Sequence, residues 1–198
     1  MSVSLSRGLR WLYATAMFIY IAALCLAVAV LVIAFIPGSP VIQDLPGAAL
    51  TGLHGIGGVA SGVVTDPSGW LPFHVEDASL GQRLLSMLTE VPGLLLIAET
   101  GRRMSNLVRA AQDRDPFTAE SAQALVALGK LTAIGGLATW ILSELAQWAL
   151  CSTMLTSSFT FSPQSTPLGW LAVGLIFAAF GRIIDRGVAM RAELDTVI

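Results

Sequence analysis

Apolar positions gather into four stretches of the chain, residues 11–36, 84–98, 125–150 and 168–184, and most polar positions fall between them. A bilayer core about 30 Å thick is crossed by about 20 apolar residues in a helix. The first and third stretches satisfy that outright. The second is short and contains Glu90, so its helix must extend at both ends or be broken. The fourth continues through Arg182, whose long side chain can reach the headgroups. The pattern predicts an all-α integral membrane protein, a four-transmembrane-helix bundle in a single membrane domain. Its helices should cover about 11–36, 81–112, 118–152 and 167–194, with outer loops over 37–80 and 153–166.

Local sequence sets the ends. Pro37-Gly38-Ser39-Pro40 stops the first helix. The following loop is long and rich in Gly and Pro but still fairly apolar from Val41 to Val64. Short strands or a capping loop suit it better than a re-entrant hairpin. Beyond Ala98 the second helix keeps apolar residues at helical spacing through Met104, Leu107, Val108 and Ala111. Pro116 then pushes Asp115 out of helix, and Thr118 is an N-cap with Glu120 in the first turn.

Charge supplies an orientation. Arg7 and Arg10 precede the first stretch, while Arg102, Arg103, Arg109 and Arg114 lie between the second and third. Arg186 and Arg191 follow the fourth. The segment 37–80 holds Asp44, Asp66, Glu76 and Asp77 and no basic residue. Cytoplasmic loops retain Lys and Arg, so both termini are expected in the cytoplasm. Composition agrees with a membrane chain: 55% hydrophobic and only 12% charged residues, with a mean hydropathy of +0.74. The first stretch is too long for a signal-peptide core and lacks a small-residue cleavage site, so it is expected to be retained. Cys25 and Cys151 have no metal or redox spacing and read as packing residues.

Ionisable groups inside or beside spans are costly and mark candidate sites. Glu90 stands two residues before Pro92, which should kink the helix. Glu144 shares a helix face with Trp140 and Trp148, with Gln147 alongside. Counting from the outer ends of their helices at 1.5 Å per residue puts both carboxylates roughly 10 Å deep. They are expected either to share a proton, ion or ligand site inside the bundle, or to be satisfied separately, Glu90 by Arg83 and Glu144 by a neighbouring helix. Glu99 and Lys130 are expected to form an ion pair between the second and third helices. Arg102, Arg103 and Arg109, with Arg186 and Arg191 in the C-terminal tail, suit lipid anchoring or partner docking. Gly135-Gly136, Gly174 and Gly181 allow close helix contact. His54 and His74, both in the outer loop, are weak evidence for a metal site, and no histidine lies in a span to hold haem. No metal and no cofactor is therefore predicted. No nucleophile motif, phosphate loop or CxxC occurs, so the sequence predicts no enzyme and no catalytic residues.

The turn Asp115-Pro116-Phe117-Thr118-Ala119-Glu120 before a membrane helix, and the ending 187–198 with Arg191, Glu193, Asp195, Thr196 and Val197, carry a resemblance. With four helices and a long first outer loop, they resemble the bacterial membrane family catalogued as domain of unknown function twenty-nine seventy-five. Members are often encoded beside a small Xre-type helix-turn-helix regulator. The resemblance thus implies a bacterial plasma membrane and a cytosolic regulator as partner. The reading expected is a non-enzymatic sensor or regulatory protein. A small transporter or channel subunit using the intramembrane carboxylates is an alternative, as is an accessory subunit of a larger membrane complex. The expected partners are the lipid bilayer, that regulator, and a second copy or larger complex, with no direct nucleic-acid binding.

Overall fold

Long runs of good helix formers, interrupted only where Pro and Gly cluster, make four helices in the computed structural model. They are α1 (Ser2–Phe35), α2 (Leu80–Asp113), α3 (Ala119–Met154) and α4 (Leu168–Asp195). The structure describes residues 2–36, 40–46, 70–75, 77–113, 118–154 and 166–195. The turn 114–117, most of the first outer loop with His54 and Asp66, the second outer loop and residues 196–198 lie outside these. All four helices are long and apolar enough to cross a membrane. Their large apolar side chains turn outward: Phe18 is 71% exposed, and Ile134 and Leu175 are each 68% exposed. Such surfaces suit lipid as solvent rather than water.

Helix ends follow local chemistry. Ser79 and Gln82 form a reciprocal capping box at the start of α2. The Ser79 N–H donates to Gln82 Oε1 at 2.9 Å, and the Gln82 N–H donates to Ser79 Oγ at 3.3 Å. Thr118 caps α3 as its sequence predicts, its Oγ1 accepting from the Ser121 N–H at 3.2 Å. α1 begins at Ser2, well before its apolar run, because nothing between Ser2 and Trp11 breaks a helix. α2 runs as one helix through Pro92.

Of the readings open for the segment after α1, short strands form at its two ends. β1 (Val41–Pro46) and β2 (Trp70–Val75) pair antiparallel, with Val41 opposite Val75 and Pro46 opposite Trp70. Val, Ile and aromatic residues favour the extended backbone. Both strands are edges, so Pro46 and Pro72 are tolerated.

The chain divides into two compact units, and the division falls within α1, α2 and α3. The first comprises Met1–Val28, Pro92–Ile141 and Ser165–Ile198. Here α3 and α4 meet backbone to backbone. A Cβ placed on Gly129 would lie 2.5 Å from the Gly174 carbonyl oxygen, and one on Gly174 would lie 2.7 Å from the Ala133 Cβ. Gly174 and Ala178 form a small-xxx-small face on α4 that meets Gly129 and Ala133 on α3. Gly101 lets α2 approach the backbone of α1 at Ala16 and Tyr20 in the same way. Thr132 and Ser105, both buried, return their hydroxyls to the carbonyls of Leu128 and Arg102.

The second unit comprises Ala29–Val91 and Leu142–Gln164. Val41, Ala78 and Leu150 are its buried apolar centre, with Val75, Leu85 and Met154 packed against them. Gln82 Nε2 donates to Thr153 Oγ1 at 3.2 Å and ties α2 to α3.

Candidate functional site

A cavity of about 510 Å³ lies between the C-terminal half of α2 and the first turns of α3, wholly within the first unit. It exists because Ala110, Ala124 and Ala127 leave space where larger side chains would close the helices together. Positions 102, 103, 106 and 110 fall on one face of α2, and 120, 121, 124 and 127 on one face of α3. The polar wall is therefore Arg102, Arg103 and Asn106 on one side and Thr118, Glu120 and Ser121 on the other.

Glu99 sets the geometry of the two arginines. Arg102 Nε donates to Glu99 Oε2 and Arg102 Nη2 to Oε1, both at 2.8 Å, while Arg103 Nε donates to Oε1 at 2.7 Å. The expected ion pair of Glu99 with Lys130 is not formed. Arginines three and four residues along the same helix occupy both carboxylate oxygens, and neighbours at that spacing need no second helix to meet. Lys130 is exposed on α3. Two guanidinium groups thus share one carboxylate. Among the described residues, Nη1 of Arg102 and both terminal nitrogens of Arg103 remain uncommitted. Thr118 and Ser121 hydroxyls bond each other at 3.0 Å on the facing wall. Of the other basic candidates, Arg109, Arg186 and Arg191 are all exposed.

The two carboxylates expected inside the bundle differ in exposure. Glu144 is buried, 5% exposed, and partnered, whereas Glu90 is exposed. Glu90 lines a cavity of about 200 Å³ in the second unit, together with Arg83 and Ser86. Arg83 does not pair with it. Its Nε donates to the Ala78 carbonyl at 3.1 Å, and its Nη1 donates to the carbonyls of Ala34 at 3.3 Å and Ile36 at 2.9 Å. Ala34 lies in the last turn of α1 and Ile36 directly follows it, where carbonyls have no partner within the helix. The Nε2 of Gln147 is buried with no hydrogen-bond partner among the described residues. Trp140, in the first unit, is half-buried and partnered.

A further cavity of about 420 Å³ in the first unit is almost wholly apolar, with Phe177, Trp170 and Ile97 among its walls. Thr100 borders it, but the Thr100 Oγ1 is itself buried and without a partner among the described residues. The alanine-lined cavity at Arg102 and the capping role of Arg83 were not reached from sequence. Facing alanines at helical spacing would have hinted at the first; nothing in the local sequence around Arg83 points to α1. Compared with family models, with curated proteins and with solved structures, the chain matches none.

Proposed function

We propose that this chain is a non-enzymatic, multi-pass protein of a bacterial inner membrane, with both termini in the cytoplasm. In this reading it regulates, or is regulated by, a small cytosolic helix-turn-helix protein that docks on its inner face. The supporting observation is the end of α4. At 1.5 Å per residue, Leu168 to Gly187 already spans about 30 Å, a full bilayer core. Beyond it Met190 is 60% exposed, between the exposed Arg186 and Arg191. A large apolar side chain flanked by arginines outside the lipid is a surface suited to a protein partner. Arg109 on α2 belongs to the same cytoplasmic end of the chain. The family resemblance supplies the kind of partner.

Truncation after Arg186 tests the proposal. The shortened chain should insert into the membrane as the full chain does, yet lose the regulator from the membrane fraction on co-expression. Equal retention of the regulator by both chains would overturn the docking surface.

A further inference from the structure

We infer that the cavity between α2 and α3 binds the headgroup of an anionic phospholipid, with the phosphodiester on Arg102 and Arg103. The inference rests on the proposed membrane reading for its setting, but its binding chemistry is local. Two guanidinium groups share the single carboxylate of Glu99, which orients them and leaves their outer N–H groups uncommitted among the described residues. Arginine forks match phosphate oxygens in pairs, and a carboxylate holding two of them lowers the ordering cost of binding. Glu120 adds one negative charge on the opposite wall, at the first turn of α3, where the helix dipole offsets part of it.

The direction of the cavity selects the lipid. Arg102 and Arg103 stand one helical turn beyond Ala98, where the apolar run of α2 ends, and so at the headgroup level. Asn106 and Ala110 lie further along α2, away from the lipid core. α3 runs the opposite way, so Ala127 lies at the membrane end and Thr118 and Ser121 at the far end. A phosphodiester at the arginines would keep its acyl chains in the bilayer and extend its headgroup outward into the cavity. There Asn106, Thr118 and Ser121 offer an amide and two hydroxyls to hydroxyl groups. A glycerol headgroup has such groups; a quaternary choline has none. A volume of about 510 Å³ is within the range of ligand sites, about 300–1,000 Å³, and ample for a headgroup.

The test uses the purified full-length chain in neutral detergent, titrated with phosphatidylglycerol or phosphatidylcholine and read by native mass spectrometry. Phosphatidylglycerol should bind in preference to phosphatidylcholine. Each basic side chain near a headgroup is worth about fivefold in affinity, so Arg102→Gln with Arg103→Gln should weaken binding about twenty-fivefold. Ala124→Phe, which fills the cavity without changing any charge, should weaken phosphatidylglycerol binding as strongly. Arg10→Gln with Arg182→Gln removes two exposed cations elsewhere and should leave affinity within about twofold. If the two double variants weaken binding equally, attraction is diffuse and the site does not exist. Competition by millimolar inorganic phosphate would assign the arginines to a free anion and overturn the lipid. Binding in detergent needs no particular orientation, so failure here leaves the topology standing, and an inverted topology leaves this binding intact.

Discussion

Arg83 is the single arginine or lysine between Arg10 and Arg102, and it follows a segment whose charges are acidic. Its role is to close a helix. The last carbonyls of α1 have no intrahelical donor, and a cation there also faces the negative end of the helix dipole. Three hydrogen bonds from one guanidinium join α1, the residue before the α2 cap, and α2 itself. Replacing Arg83 with Met should cost about 2 kcal/mol, since hydrogen bonds from a charged donor are worth about 1.5–3 kcal/mol and part of this side chain faces solvent. Arg83→Lys should recover only part of it, because one ammonium cannot reach three carbonyls in fork geometry. Thermal unfolding in detergent, followed by circular dichroism, reads the difference; an unchanged midpoint for the Met variant would remove the capping role. Sequence placed Arg83 beside Glu90, seven residues away on the same helix. Hydrogen-bond demand at the end of a different helix won instead.

Among the elements, α3 and α4 are held by close backbone contact. Lipid tails are as apolar as leucine, so association of membrane helices depends on close packing rather than on escape from water. Gly129 and Gly174 bring the two backbones within van der Waals reach, and neither site accepts a Cβ without displacing backbone. Gly174→Leu should therefore destabilise the chain by about 3 kcal/mol or more. Gly93→Ala, with nothing within 4 Å of the added methyl, should be neutral or gain up to about 1 kcal/mol of helix propensity. Chemical unfolding of both variants checks this, and equal effects would contradict the seam. Four helices were legible in the sequence because length and apolarity are properties of single segments. So were Thr118 and the breakers after Ile36, whose chemistry acts within a few residues. Gly174 was legible as a close-contact position, though without its partner Gly129. Glu99 was assigned to the wrong partner, and for Glu90 and Glu144 a shared site and separate partners both stayed open. Which side chains meet across helices depends on rotation about each axis, and a one-residue change turns a helix by about 100°.

All four helices present apolar side chains outward, and the proposed orientation rests on the arginines. In a background with Cys25 and Cys151 replaced, a cysteine introduced at Ser68 should react with an impermeant thiol reagent in intact cells, and one at Gln112 should not. Labelling of Gln112 alone would invert the proposed orientation. The close seam in the first unit has a mechanical consequence. Side chains are what let packed helices slip, because they can change rotamer while the backbones shift. Where Gly129 meets Gly174 there is no side chain on either glycine to do so. Those segments of α3 and α4 should therefore behave as a single lever. A pull on the α4 tail would be felt at the first turn of α3, where Thr118 and Ser121 border the arginine cavity.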